Sequence, residues 1–427
     1  MSLHLRISWS LAAAVIVILL GASRAGAGQT LPAPNTCATC HAALQDATFA
    51  APARAFSQQD VHRESGFRCV DCHGGDQTAG DKTRAHDAGH GFKGAPSGQA
   101  QITTCTRCHS DAEKMRQFAP RERIDQGAEY ATSVHGKRLA LNDTRVATCA
   151  NCHGAHGVRK VNDAKSPVFP TNVAATCGKC HADATHMAGY TLAGKTPIPT
   201  NQLALYQQSV HYNALTKGND LSAPTCNDCH GNHGAVPPGV GSVANVCGTC
   251  HAVFAEKFAT SVHAQIFDRG CVECHSNHAV LSPSDNMLGT DASSLCGTCH
   301  NGADDKGAQA ATRMRGDIER LKTGLDRATA TVARLRNAGM EMSAQELALG
   351  MARTRLTLAR TAVHSFDPAL VTPVVDEGTK AVAEVEVAGD RAGADLRFRR
   401  RGLAASLGAI LVFVVALGFK IRQIERG

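Results

Sequence analysis

The chain has 427 residues, 4% aromatic residues, a single tryptophan, 40 glycines and a formal net charge of +7 at pH 7. Such a length would ordinarily hold two or three domains, but so few aromatics exclude large conventional cores through its middle. The modest charge, with no basic stripe interleaved with aromatics, excludes a nucleic-acid surface, and no nucleic-acid partner is expected.

Residues 1–27 read as an export signal. Arg6 marks a short basic region, Leu11 to Leu20 is an uninterrupted apolar run, and Ala25-Gly-Ala27 offers small residues for cleavage. An uncleaved membrane anchor is the alternative, although the run is short for a span.

Residues 28–302 carry nine copies of Cys-x-x-Cys-His, which use all 18 cysteines. They are Cys37 and Cys40 with His41, Cys69 and Cys72 with His73, Cys105 and Cys108 with His109, Cys149 and Cys152 with His153, and Cys177 and Cys180 with His181. Cys226 and Cys229 with His230, Cys247 and Cys250 with His251, Cys271 and Cys274 with His275, and Cys296 and Cys299 with His300 complete the set. Two thiols three positions apart can each add to one vinyl group of a haem, and the next residue's imidazole then reaches the iron. Zinc half-sites, redox dithiols and disulfides also use paired cysteines, but none explains a histidine after every second one. The expected cofactors are nine covalently bound c-type haems. About 29 residues per site are too few to bury a core, so the porphyrins should supply most of the apolar interior. The expected fold is mainly α with extensive loops, an elongated multihaem cytochrome c array with a haem-dominated core, followed by a helical stalk and a C-terminal transmembrane helix.

The array is a degenerate repeat of two sites per unit. Four units run CxxCH, Val-His, CxxCH and at least one further histidine, and the ninth site opens a fifth unit. The Val-His pairs supply His62, His135, His211 and His263, three of them preceded by serine, and the CxxCHxxH pattern supplies His156, His233 and His278. Recurrence at one place in each unit marks these as second axial ligands. Imidazoles on opposite faces of one haem hold their Cα atoms roughly 12 Å apart, whereas three residues span at most about 11 Å. His156, His233 and His278 must therefore reach a neighbouring haem. For the second haem His86 and His90 compete, with His86 favoured. For the ninth, the only downstream histidine is His364. His186 reads as surface. Bis-histidine ligation lacks the upward push of a methionine ligand, so low potentials are expected.

Residues 303–401 read as a helical hairpin or coiled-coil stalk. Met314, Ile318, Leu321, Leu325, Ala328, Val332 and Leu335 form a heptad seam, which Asn337-Ala-Gly339 ends. A second helix runs from about Ser343, with Glu346 completing a capping box, to about Val363, and Asp367-Pro368 starts a third. The stalk is a spacer holding the array off the bilayer or, alternatively, a docking surface. Residues 402–419 carry no charge and are flanked by arginines and Lys420, which fits a transmembrane helix in contact with lipid. Residues 420–427 are then a cytoplasmic tail.

Cys69-Val-Asp-Cys-His73-Gly-Gly, Thr132-Ser-Val-His135-Gly, Cys149-Ala-Asn-Cys-His153-Gly-Ala-His156-Gly and Cys226-Asn-Asp-Cys-His230-Gly-Asn-His233-Gly resemble the multihaem c-type cytochromes of the doubled-CxxCH kind. The resemblance covers about residues 37–300. It implies bis-histidine haems, low-potential electron transfer in anaerobic respiration, a place on the periplasmic face of the inner membrane, and exchange with a quinol-oxidising or b-type cytochrome partner and other periplasmic cytochromes. The expected protein is a single-pass, non-catalytic electron carrier. The alternative is a terminal reductase or oxidase of a small nitrogen or sulfur oxyanion with one open haem, for which the ninth is the natural place. No CxxCK occurs, and Tyr130, Tyr190, Tyr206 and Tyr212 have no context that singles one out.

Overall fold

A computed structural model describes residues 35–192, 195–237, 243–302 and 304–426. The export-signal reading of residues 1–27 lies outside them. The described chain is mainly helical and contains no strand, only an isolated bridge between Thr191 and Pro197. It forms two compact units, one of residues up to Glu122 with His153–Lys160, the other of Arg123–Cys152 with Val161–Gly427.

Short helices and 3₁₀ turns carry the Cys-x-x-Cys-His motifs in both units, and the residues between and beside the cysteines explain several of them. Asp71, Asn151 and Asp228 sit third in their helices, and each side chain accepts the backbone N–H of the residue before the first cysteine, at 2.7, 2.8 and 2.7 Å. This reach-back satisfies a helix-start N–H that would otherwise lack a partner. The glycine after the motif histidine stops the helix in a left-handed conformation. Gly74 has φ +70°, and a Cβ there would lie 1.9 Å from the carbonyl oxygen of Gly91, so no other residue fits.

The Val-His segments are locked in a recurring way. Ser133, Ser209 and Ser261 are buried caps whose hydroxyls accept the N–H three residues on, which accounts for the serine before three of the four pairs. Val61 N–H donates to Val158 O, Val134 to Ala235 and Val210 to Val280, each acceptor two residues beyond the histidine that ends a CxxCHxxH. Each Val-His is thereby pinned to the following repeat. Tyr130 and Tyr206 also share a repeat position, donating their hydroxyls to Ala147 O at 2.8 Å and Pro224 O at 2.9 Å, two residues before a motif cysteine. Burial pushes the Tyr130 phenol up to about 12. These tyrosines brace attachment motifs, a context the sequence alone did not reveal.

In the second unit three long helices, Lys306–Asn337, Ser343–Ala362 and Pro368–Glu425, pack together. All seven seam residues of the first are buried, and they join Leu349, Ala352, Leu356 and Ala359 of the second and Val371, Val375, Val382 and Val385 of the third in one hydrophobic cluster. Gly378 allows the close approach, since a Cβ there would lie 2.8 Å from Leu321 Cδ2 and 3.0 Å from Arg355 Cβ. Gly339 closes the first turn at φ +86°. The expected capping box at Ser343 does not form. Met342 is the cap, Ser343 N–H donates to Glu341 at 2.9 Å, and Glu346 instead pairs with Arg336 at 2.6 Å. Arg336, on the preceding helix across the hairpin connection, offers Glu346 a charged partner. Asp367 and Pro368 start the third helix as expected, the carboxylate accepting Ala369 N–H at 2.8 Å. That helix alone among those described is long and apolar enough to cross a membrane, with an 18-residue window of mean hydropathy 2.4, none of it buried.

Candidate haem-binding sites

Eight of the nine motif histidines face a second histidine within their own unit. In the first unit the ring centroids of His41 and His86 lie 5.9 Å apart, those of His62 and His109 6.1 Å, and those of His73 and His156 5.9 Å. In the second, His135 faces His181 at 6.1 Å, His211 faces His251 at 6.3 Å, His230 faces His278 at 6.0 Å, His263 faces His300 at 6.0 Å and His275 faces His364 at 6.1 Å. The remaining two, His153 and His233, belong to different units.

These separations can be tested against a haem iron. A metal–imidazole nitrogen bond is about 2 Å, and the ring centre lies about 1 Å beyond, so two rings on opposite sides of one iron stand about 6 Å apart. The eight pairs fit. At such a spacing two imidazoles share no direct hydrogen bond. Burial first, and then the like charge of the facing ring, hold His135, His156, His211, His263, His275 and His278 below the ordinary imidazole range. They are kept neutral, the form that binds a metal.

The pairing differs from the expected one at two places. His86 faces His41, the first site, and His156 takes the place opposite His73 at the second. The turn Ala85–Asp87 returns toward the first motif, with His86 Nδ1 held by Lys82 O at 2.8 Å. His90 is occupied by Asp87 at 2.7 Å. At the other end, His364 faces His275 of the eighth site, not His300 of the ninth, which has His263 opposite it. A rule emerges that single-unit reading missed. A Val-His histidine faces the motif histidine of the first site of the next repeat (His62 and His109, His135 and His181, His211 and His251, His263 and His300), and an HxxH histidine faces that of the second site of the preceding one (His156 and His73, His278 and His230). His364 stands where that last histidine would be. The Val61–Val158 type of backbone bond is the local signal of this offset. His186 is half-buried, its ring 6.5 Å from that of Tyr190.

Neighbouring sites also touch. Cys177 lies beside Cys226 and Cys247 beside Cys271. The fifth site thus lies against the sixth and the seventh against the eighth.

Behind the imidazoles stand peptide carbonyls or carboxylates. His73 Nδ1 meets Gly94 O at 2.7 Å and His364 Nδ1 meets Thr361 O at 3.2 Å. Asp60 meets His62, and Asp305, the cap of the first long helix, meets His300. Burial alone would raise the Asp60 carboxyl, but hydrogen bonds from the His62 ring and from the N–H groups of Val158 and His62 hold it below the ordinary range. The His300 ring and then the Ala308 N–H do the same for Asp305.

A family model described as the doubled CXXCH motif matches residues 263–305, the stretch holding the eighth and ninth sites. No curated protein and no solved structure matches the chain. The match and the motifs imply covalently bound c-type haem, the attachment found in multihaem cytochromes c.

Proposed function

We propose that this chain is a membrane-anchored electron carrier holding nine c-type haems, each by a CxxCH motif and a second histidine. The proposed second ligands are His62, His86, His135, His156, His211, His233, His263, His278 and His364. The carrying observation is the set of eight facing imidazole pairs, all 5.9–6.3 Å apart. When bound, the haems supply one-electron chemistry. The chain's own residues supply neutral ligands, hold them in place and keep consecutive sites in contact, as Cys177 with Cys226 and Cys247 with Cys271 illustrate. In this reading the porphyrins fill the interior that residues 35–302 lack, and electrons pass between sites in chain order.

A non-catalytic role is favoured because the ninth site, the natural candidate for an open iron, has His263 opposite His300. The haem region is proposed to lie on the periplasmic side of the inner membrane, with residues 402–419 in the lipid. Its proposed partners in anaerobic respiration are a quinol-oxidising or b-type cytochrome enzyme in the membrane and other periplasmic cytochromes.

Low-temperature EPR of the oxidised protein, with a carbon monoxide difference spectrum after reduction, tests the reading. Only low-spin haems and no carbon monoxide shift are expected. A stoichiometric high-spin signal that responds to nitrite or hydroxylamine would replace the carrier with a reductase or oxidase.

A further inference from the structure

The cap before each Val-His follows one plan and departs from it once. Ser133, Ser209 and Ser261 each accept a backbone N–H three residues on, at 2.9, 3.1 and 3.3 Å. The first repeat has Asp60 there instead. It is 1% exposed, and one carboxylate oxygen accepts both the N–H of His62 at 2.9 Å and its ring Nδ1–H at 3.1 Å. The other oxygen accepts Val158 N–H at 2.9 Å, which fixes the group from the far side. A second carboxylate stands behind His300. Asp305 lies 3.0 and 3.1 Å from its Nδ1 while accepting the N–H groups of Gly307 at 2.7 Å and Ala308 at 3.2 Å. By contrast His73, His86 and His364 are backed by the carbonyls of Gly94, Lys82 and Thr361 at 2.7, 2.8 and 3.2 Å.

An imidazole that donates Nδ1–H to a carboxylate is a stronger base at its other nitrogen than one that donates to a peptide carbonyl, and it stabilises the more positive iron. A buried or backbone-fixed carboxylate also places a negative charge permanently beside the site. We infer that Asp60 and Asp305 are positioning residues that hold the third and ninth haems at lower potential than the carbonyl-backed sites. This rests on the ligation reading proposed above. The third and ninth sites are then low steps in the relay, set apart from His233, whose carboxylate neighbour Glu129 stands farther off at 3.6 Å and is a third exposed. Because Asp305 is also a helix cap, the same carboxylate couples the start of the stalk to the redox state of that site.

Two substitutions isolate the charge. Asp305→Asn keeps a residue that caps helices as well as aspartate. Asp60→Ser installs what the other three repeats already use. The full-length protein in detergent is followed by potentiometry with visible absorption and EPR, and covalent haem is counted from the mass of the intact polypeptide. Each variant is expected to keep its haem complement and low-spin signals while one haem's ferric-to-ferrous ratio at fixed potential falls about tenfold, a rise of about 59 mV for one electron. Unchanged potentials in both variants, with haem count and spin state intact, would overturn the inference alone. Absence of haem on Cys105 and Cys108, or on Cys296 and Cys299, in the unsubstituted protein would overturn the ligation reading together with the inference.

Discussion

His364 occupies the 3₁₀ turn Val363–Ser365 between the second and third long helices, and its ring faces His275 at 6.1 Å. Phe366, next but one, adopts a left-handed backbone at φ +56° and sets its ring 4.1 Å from that of His263. A non-glycine residue in that region is strained unless its surroundings hold it, and here packing on a proposed ligand of the ninth site does so. One turn of the stalk thus engages both terminal sites. His364→Ala is expected to convert one haem to a high-spin form. The conversion should persist in a protein that also carries Cys296→Ser and Cys299→Ser and so lacks the ninth haem. If the high-spin signal vanishes with the ninth attachment site, His364 serves that site and the eighth-site pairing fails. The histidines were legible from recurrence, but their partners were not, because spacing alone says which haem a histidine cannot reach rather than which it does.

Among elements, the stalk helices carry the hydrophobic cluster and the repeats carry the caps. The heptad seam was readable because burial on one helix face imposes a 3.5-residue period whatever the partner. The failed capping box at Ser343 was not, since Glu346 had a choice between a nearby N–H and Arg336 that only the packed hairpin presents. Leu321, 1% exposed at the centre of the cluster, tests the bundle. Leu321→Ala should destabilise the stalk by about 2–5 kcal/mol, read as a fall in the urea midpoint of its far-ultraviolet helical signal. Leu347, 69% exposed on the second helix, is the control, and its alanine variant should stay within about 0.5 kcal/mol of the parent. Equal effects at the two positions would rule out this packing. The bundle also grips the ninth-site region through polar contacts. Arg360 holds Asp285 with two bonds of 2.8 and 2.6 Å, and Arg315 reaches Leu288 O at 3.1 Å.

For the molecule as a whole, the third long helix sets the relation between the last two sites and a bilayer. It runs unbroken from Pro368 to Glu425, and at 1.5 Å per residue the stretch from Pro368 to Gly402 climbs about 50 Å. With residues 402–419 in lipid, as proposed, the span begins about 50 Å along this helix from the turn that touches the eighth site. Ending the chain after Arg401 is expected to release a haem-loaded protein into the soluble fraction, whereas the full chain sediments with membranes. Continued sedimentation of the shortened protein would place the anchor elsewhere.

The sequence by itself determined the attachment sites, the candidate ligands, the seam of the stalk and the apolar segment, because each is written in local spacing: two thiols and an imidazole within five residues, a histidine at a fixed repeat position, a period of 3.5, a run without charge. Only the tertiary structure decided which histidine faces which. Val61, Val134 and Val210 donate to carbonyls one repeat onward, and with that offset the Val-His and HxxH histidines face neighbouring repeats, while His364 of the stalk faces His275, the second site of the fourth repeat.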